Sequence, residues 1–315
     1  MPGFVDHHTH LLQVAAGVMP PWEIGNPGSI EAFHRQVAAR GSTPMDEAAG
    51  PVGVADLPAA MTEWLTKAAD MGIVSITEAG MRDWAHWDAV EQLRGVGPLP
   101  TRVRVMVASG SVDLTRMAAL RSDDEWLRII GVKFYADGWL GPRTCACSQP
   151  FADRPDDDGV LFMDAATLAG RVEGVAAEGW SVATHAIGDR AIETVLDAYE
   201  SAYGGAAGVR QARPRIEHAQ VLRTDLIARM ADLGVTACIQ PCFRTSDEPA
   251  ATEALAGRWP EAYRWDLLLD AGVDVIAGSD FPIESLDPEA GLAGLTTGPH
   301  ALDKATAMRL MTEDR

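Results

Sequence analysis

The chain has 315 residues, of which 47% are apolar and 23% charged; this is the composition of a globular protein, and it excludes a disordered chain, a collagen-like repeat and a coiled coil. Its net charge of −19, from 26 basic and 45 acidic residues, argues against a nucleic-acid partner and against an anionic membrane surface, because both need clustered lysine and arginine. Only 4 cysteines, no signal-peptide pattern and no apolar run of about 18 residues predict a cytoplasmic protein.

Short apolar runs rich in valine and isoleucine recur along the chain and predict eight strands. The predicted strands are Phe4–Asp6, Ile73–Thr77, Val103–Ala108, Ile130–Tyr135, Val182–His185, Arg215–His218, Val235–Gln240 and Val273–Ala277. Helical periodicity between them predicts helices that include Leu57–Met71, Ala165–Glu178, Arg190–Tyr203, Asp225–Leu233, Tyr263–Ala271 and Leu302–Met311. Eight strands alternating with helices imply a parallel sheet, and eight is the number that closes a (β/α)₈ barrel. The predicted fold class is therefore α/β, a single (β/α)₈ TIM barrel over residues 1–315, with an open doubly wound sheet as the alternative.

Two long irregular stretches follow the first and fourth predicted strands, at about 12–56 and 138–163. The first contains only a weak helix near Ile30–Arg40, and the second is rich in glycine and proline. Loops of this length inside a compact domain are usually binding loops or lids. Because each follows a strand, both are predicted on the C-terminal face of the barrel, where active sites lie.

Three histidines stand together at the end of the first predicted strand, in Asp6-His7-His8-Thr9-His10. His8 and His10 are two residues apart, so a strand places both imidazoles on one face. Two imidazoles at a strand end suit a divalent metal. The alternative is a polar N-terminal segment that binds no metal.

Other polar side chains also lie at strand ends. Lys133 is inside the fourth predicted strand, where an unpaired charge is costly. His185 and His218 end the fifth and sixth strands, and Asp280 follows the eighth. Each has a plain alternative, such as a core histidine with satisfied hydrogen bonds or a lysine paired with a carboxylate. In a barrel, however, they converge on one axis with the two histidines of the first strand, which favours a shared site.

The opening stretch Pro2–His10 resembles the first motif of the amidohydrolase superfamily. Four later stretches resemble one branch of it, amidohydrolase family 3, which includes N-substituted formamide deformylase. These stretches are Gly131–Thr144, His185–Ile192, Arg215–Leu222 and Gly278–Pro282. The motifs occur in the family's order and extend over nearly the whole chain.

The resemblance implies a metal-dependent (β/α)₈ hydrolase with two divalent ions, expected to be zinc, and no organic cofactor. The implied ligands are His8, His10 and Asp280 for the first ion, His185 and His218 for the second, and a carboxylated Lys133 as the bridge between them. Carboxylation suits this position chemically, since a neutral amine can take up CO₂ and the carbamate then offers two oxygens to two cations.

The implied reaction is hydrolysis of an amide-type C–N bond (amide, formamide or cyclic amide) by a metal-bound hydroxide. The residues assigned to catalysis are Asp280, which would pass a proton to the leaving nitrogen, and His218. One alternative keeps the barrel but uses one metal ion for deaminase, lyase or decarboxylase chemistry, which needs no bridging carbamate on Lys133. Another is a barrel that binds a ligand without catalysis.

Four residues are predicted to contact a small-molecule substrate: Arg143, Asp137, Glu78 and Trp139. Arg143 could clamp a substrate carboxylate, with a loop-stabilising ion pair as the alternative. Glu78 is placed at the mouth by its strand, and Trp139 could line an apolar pocket. Glu217, next to the histidine of the sixth strand, is expected to face the other way by strand alternation and to serve the structure only.

Typical members of the branch are longer and add a β-sandwich, which this sequence does not predict. The barrel flank that a sandwich covers would need another cover, so we expect a homo-oligomer or a partner chain there. His7 and Trp139 stand where the branch usually has small residues, so the substrate of a relative cannot be assigned from the resemblance.

Overall fold

The structure, a computed structural model, describes residues 3–17 and 56–314. Its strands are β1 (Phe4–Thr9), β2 (Ile73–Met81), β3 (Arg102–Ala108), β4 (Leu127–Tyr135), β5 (Ser181–Ala186), β6 (Arg215–His218), β7 (Thr236–Ile239) and β8 (Asp274–Ala277). The first helices of the described ranges are α1 (Leu11–Ala15), α2 (Leu57–Asp70), α3 (Trp84–Val96), α4 (Leu114–Ala119), α5 (Ala165–Ala177), α6 (Asp189–Ala202) and α7 (Ala206–Ala212). They are followed by α8 (Thr224–Leu233), α9 (Phe243–Ser246), α10 (Glu248–Leu255), α11 (Trp265–Asp270), α12 (Pro288–Thr296) and α13 (Lys304–Thr312).

The eight strands form one parallel sheet in which each strand pairs with the next along the chain. The sheet closes because the chain after β8 bonds to β1: the amide of Asp280 donates to the carbonyl of His8 over 2.7 Å, and the amide of His10 donates to that of Phe281 over 2.8 Å. In a doubly wound sheet the strand order would reverse at a switch point. The prediction of an α/β (β/α)₈ barrel is therefore confirmed.

The six helices predicted within the described residues each have a counterpart in the structure with ends within two residues of the prediction. Aspartate side chains begin several of them: Asp56 caps α2, Asp83 caps α3 and Asp164 caps α5 by accepting from a backbone amide in the first turn. Gly234 ends α8 with a φ of +66°, in the left-handed region that glycine adopts without strain.

Two strands run further than their apolar residues indicate. β1 continues to Thr9 rather than Asp6, and β2 continues to Met81 rather than Thr77. The added residues include His8 and Glu78, which are buried in the C-terminal half of the barrel. The apolar pattern ends early here because the upper interior of this barrel is lined with polar side chains.

The long stretch 138–163 contains no helix or strand of the described structure and connects β4 to α5. It begins at the carboxyl end of β4, so it lies on the C-terminal face, as predicted. Residues 18–55, which include most of the other predicted loop and the helix near Ile30–Arg40, lie outside the described residues.

None of the described helices is long and apolar enough to cross a membrane.

Candidate metal centre

Two histidines of the first strand region and one aspartate after the last strand meet at the C-terminal mouth of the barrel. His8 Nε2 lies 3.3 Å from Asp280 Oδ1, and His10 Nε2 lies 3.2 Å from the same oxygen. All three side chains are buried. The two strand ends are held together by the backbone bonds that close the barrel, so the convergence follows directly from the fold.

The other two histidines of the predicted set adjoin this group. The ring centroid of His218 is 5.0 Å from that of His8 and 4.4 Å from that of His185. A ligand atom from each of His8, His218 and Asp280 lies within 4.8 Å of the others. His185 Nε2 instead donates to the carbonyl of Gly138 over 2.9 Å, which leaves Nδ1 as its only nitrogen able to bind a metal.

Left-handed backbone conformations place two of these side chains. His218 has a φ of +77° and Asp280 a φ of +59°, in a region where a residue with a side chain is strained. Each lies at or just beyond the end of a short strand. The turn of the backbone directs both side chains into the mouth, and strain of this kind is concentrated at functional sites.

The electrostatics of the mouth keep Asp280 ionised. Burial raises the pKa of this carboxyl, but His8, His10 and His218 together lower it, and the net pKa lies well below the ordinary value for aspartate. Burial lowers the pKa of His10 to about 4. Burial also acts to lower the pKa of His8, but Asp280 and Glu217 raise it overall. The metal-free centre therefore combines an anionic carboxylate with one imidazole, His10, that is neutral near pH 7, and one, His8, that must give up a proton to bind a metal.

The donor set fits a divalent ion. His8 Nε2 and His218 Nδ1 are buried and make no hydrogen bond to a described residue, a condition that normally costs free energy unless another group satisfies them. Ligand atoms at tetrahedral angles around one zinc ion are about 3.3–3.4 Å apart, and the two contacts of Asp280 Oδ1 are 3.3 and 3.2 Å. Imidazole and carboxylate are ligands that zinc and similar ions prefer.

Lys133 lies in the same chamber, and its ammonium group forms no ion pair with any residue of 3–17 or 56–314. It is 1% exposed, and its Nζ is 5.3 Å from the ring centroid of Tyr135. Burial lowers the pKa of its ammonium group, although Glu217 and Asp280 act in the opposite direction. The predicted position of Lys133, inside the barrel and facing the site, agrees with this environment.

The prediction that Glu217 faces away from the site is wrong. Its side chain is fully buried, and Oε2 lies 2.5 Å from His8 Nδ1. Strand alternation fails here because β6 ends at His218 and the chain turns left-handed at that residue. Both neighbours therefore face the interior, and Arg215, two residues earlier, faces it as well.

Glu78 is a buried anchor for the chain after β1. Its carboxylate accepts from the amide of Leu12 over 2.8 Å and from the side chain of Gln13 over 2.9 Å. Gln13 Nε2 in turn lies 3.0 Å from His10 Nδ1. Burial raises the pKa of Glu78 to about 7. The geometry favours a role for Glu78 in ordering the chain after β1, and its predicted contact with substrate stays a prediction.

Asp137 and Arg143 organise the loop 138–163. Asp137 is fully buried and accepts from the amides of Ala146, Ile187 and Gly188 over 2.8–3.0 Å. Arg143 bonds Asp153 through Nε and Nη2 over 3.1 and 2.8 Å, and also reaches Glu253. These contacts favour the loop-stabilising alternative for Arg143, while its predicted substrate contact stays untested.

An apolar wall borders the site on the side of β4. Tyr135, Val160 and Phe162 form a buried cluster separate from the main core, and Trp139 and Ile283 pack against it. The ring of Tyr135 is 6.1 Å from that of His185. Tyr135 was missed in the sequence because an aromatic residue at the end of an apolar strand has the pattern of a core residue. The predicted role of Trp139 in lining a substrate pocket stays a prediction.

Comparison with known proteins identifies the family. A family model described as the amidohydrolase family matches residues 54–314. The chain belongs to the amidohydrolase family. This confirms the resemblance read from the motifs, and it supports a hydrolase built on a (β/α)₈ barrel. The narrower likeness to N-substituted formamide deformylase stays a prediction.

Two curated relatives and one solved structure illustrate the similarity. Bacillus subtilis YtcJ is 34% identical over 205 residues, 65% of this chain and 38% of YtcJ. Arabidopsis thaliana protein LONG AFTER FAR-RED 3 is 34% identical over 166 residues, 52% of this chain and 28% of that protein. An uncharacterized metal-dependent hydrolase from Pyrococcus furiosus is 22% identical with a TM-score of 0.78, covering 98% of this chain and 80% of that one. The match spans well under half the length of both curated relatives.

Gly278 is required where β8 passes β1 in this amidohydrolase barrel. A Cβ added there would lie 2.3 Å from the backbone nitrogen of His8. We expect Gly278→Ala to lower the free energy of unfolding by about 1–3 kcal/mol, and to weaken zinc binding because the two strand ends must separate. Urea unfolding and zinc titration measure the two effects.

Gly170→Ala is the matched control. Gly170 lies on α5, and an added Cβ would meet nothing within 4 Å. Helix propensity predicts a gain of up to about 1 kcal/mol there. If both variants unfolded at the same urea concentration as the wild type, the close approach at Gly278 would not be a constraint on the site.

Proposed function

We propose that this chain is the catalytic barrel of a metal-dependent hydrolase that cleaves an amide-type C–N bond, such as that of an amide, a formamide or a cyclic amide. The observation that carries the proposal is the buried convergence of His8, His218 and Asp280 at the barrel mouth, with two imidazole nitrogens that bond to no described residue. Family membership supports hydrolysis as the reaction class.

The residues that would hold the ions are those that the family resemblance implies, and the contacts of His8 and His10 with Asp280 support the first set. His8, His10 and Asp280 would bind one divalent ion, and His185 and His218 would bind a second. When bound, the ions would polarise the scissile carbonyl and lower the pKa of the attacking water. We propose zinc, because the ligands are imidazoles and carboxylates in a closed, tetrahedral-sized arrangement.

Lys133 is the proposed bridge between the two ions. Burial lowers the pKa of its amine, which increases the share of the neutral form that adds CO₂. Addition forms a C–N bond, releases one proton and yields a carbamate anion with two oxygens. This converts a costly buried cation into an anion that two cations would stabilise.

The chain's own contribution to the reaction is proton transfer and orientation. Asp280 is ionised and sits at the centre of the imidazole cluster. It would take the proton of the attacking water and pass it to the leaving nitrogen, as a general base and then a general acid. His218, on the neighbouring side of the cluster, would help to fix the carbonyl in position for attack. The apolar wall of Tyr135, Val160 and Phe162 would exclude bulk water from one side of the site.

One observation favours a second candidate function with a single ion. His8, His218 and Asp280 form one compact donor group, whereas His185 Nε2 is already bonded to the carbonyl of Gly138. A one-ion centre of this kind suits deaminase, lyase or decarboxylase chemistry and needs no carbamate on Lys133. A homo-oligomer or a partner chain on the barrel flank stays a prediction for either function.

Metal analysis separates these candidates. Protein purified without added metal is expected to contain about two equivalents of zinc, and Lys133→Ala about one. Chelation should abolish hydrolysis of a panel of N-substituted formamides, acyl amides and cyclic amides, and added zinc should restore it. One equivalent in the wild type, unchanged in Lys133→Ala, would favour the single-ion function. A protein that takes up no metal would contradict both.

A further inference from the structure

A buried carboxylate and a largely buried guanidinium lie directly behind His8, on the side opposite Asp280. Glu217 Oε2 is 2.5 Å from His8 Nδ1. Arg215 donates from Nε to Glu217 Oε1 over 2.8 Å and from Nη2 to Oε2 over 3.0 Å. The same Nη2 donates to the carbonyl of His7 over 2.9 Å. A chain of contacts therefore runs from β6 through Glu217 to the imidazole of β1.

We propose that Glu217 is a positioning residue that holds the proton of His8 on Nδ1 and so presents the lone pair of Nε2 to the metal centre. The inference rests on the proposed function, since it assigns a role to the support of a ligand of that centre. A carboxylate can only accept, so its partner nitrogen must carry a proton. The second nitrogen, Nε2, then carries the lone pair, and it is the buried atom that bonds to no described residue.

Arg215 makes this arrangement stable. The side chain of Glu217 is 0% exposed, and an unpaired carboxylate in such a position would be costly. The guanidinium occupies both oxygens in a bidentate pair, which holds the carboxylate in one orientation. The hydrogen bond from Arg215 Nη2 to the backbone carbonyl of His7 fixes the pair relative to β1. The charges of Glu217 and Arg215 cancel, so the pair orients His8 without adding net charge to the centre.

A purely structural role does not account for this pairing. A buried ion pair is often replaceable by apolar side chains without loss of stability, and the residues of β6 other than Arg215 are buried. What an apolar pair cannot supply is an acceptor for His8 Nδ1. Acceptors behind metal-binding histidines select the tautomer and orient the ring, and their loss commonly weakens metal affinity by about 10–100-fold.

Glu217→Gln tests the proposal most directly. The shape of the side chain is kept, but Arg215 needs acceptors, so the carboxamide turns its NH₂ group toward His8 Nδ1. His8 Nδ1 must then accept a hydrogen bond, so the proton of the imidazole moves to Nε2. A protonated Nε2 has no lone pair to offer to the metal. Zinc titration against a chromophoric competitor should show a Kd raised by about 10–100-fold, with the cooperative unfolding transition preserved.

Glu193→Gln is the matched control. Glu193 lies on α6 and pairs with Arg223 over 3.2 Å at the surface, so its zinc affinity should equal that of the wild type. If Glu217→Gln does not fold, Arg215→Lys keeps the charge and removes the bidentate contact. Its Kd should rise toward the lower end of the same range.

A second measurement does not depend on a zinc affinity. Long-range ¹⁵N–¹H spectra of the metal-free wild type, assigned to His8 with His8→Ala and recorded above the raised pKa of His8, should show a protonated Nδ1 and an unprotonated Nε2. A proton on Nε2 in the wild type, or an unchanged zinc Kd in folded Glu217→Gln, would overturn the proposal. If the wild type bound no zinc, the proposed function would fail, but the tautomer of His8 would still decide this inference.

Discussion

Asp280→Asn is expected to lower turnover of an amide probe by about 10²–10⁴-fold while the protein keeps most of its zinc. The amide side chain has the same shape and still offers an oxygen where Asp280 Oδ1 lies 3.2–3.3 Å from His8 and His10. It cannot, however, take the proton of the attacking water or deliver it to the leaving nitrogen. The loss should appear in kcat more than in KM, because the missing step belongs to the transition state.

Asp287→Asn is the control for this substitution. Asp287 accepts from the amide of Glu289 at the start of α12 and is exposed; asparagine caps a helix about as well as aspartate. Its turnover, zinc content and unfolding midpoint should match the wild type. An Asp280→Asn variant with full zinc and full turnover would show that Asp280 does not transfer the proton. A variant that lost all its zinc would show that the main role of Asp280 is to bind the metal.

The barrel was predictable because its signals are local and repeated. Apolar strand runs such as Val103–Ala108 and glycine-terminated helices such as Asp225–Leu233 recur in a fixed alternation. Parallel strands bring all their carboxyl ends to one face, so polar residues at those ends converge whatever the details of packing. This is why the sequence alone predicts that His8, His218 and Asp280 lie close together.

The support of the site was not predictable in the same way. Glu217 was assigned to the far face by alternation, which holds only while a strand continues, and β6 ends at the next residue with a φ of +77°. One signal did exist. Arg215 and Glu217 are two residues apart in a buried strand, so both must face one side, and a buried pair of opposite charges implies a third polar group for them to serve.

Contacts across the long loop could not be predicted from the sequence, for another reason. Arg143 meets Asp153 and Glu253, which is 110 residues away along the chain. No spacing rule encodes such a pair, because it depends on how the irregular stretch 138–163 folds over α10. Residue type alone made Arg143 equally suited to a substrate carboxylate or to an ion pair.

Asp137→Ala is expected to lower the free energy of unfolding by about 3–5 kcal/mol. The carboxylate accepts three backbone amides, from Ala146, Ile187 and Gly188, all of them buried. Alanine leaves those donors without partners and opens the junction between the loop and the end of β5, which carries His185. Urea unfolding measures the loss, and limited proteolysis should cut within 138–163 sooner than in the wild type.

Asp137→Asn and Asp158→Ala bracket this prediction and separate it from a substrate role for Asp137. The asparagine keeps one accepting oxygen but turns an NH₂ group toward at least one amide, so it should lose an intermediate amount of stability. Asp158 is 46% exposed and pairs with Arg190, so its removal should change stability by less than about 1 kcal/mol. A stable Asp137→Asn variant with a raised KM would instead support the contact with substrate. In that case the three amide donors would not need the carboxylate, so its role would lie with the substrate.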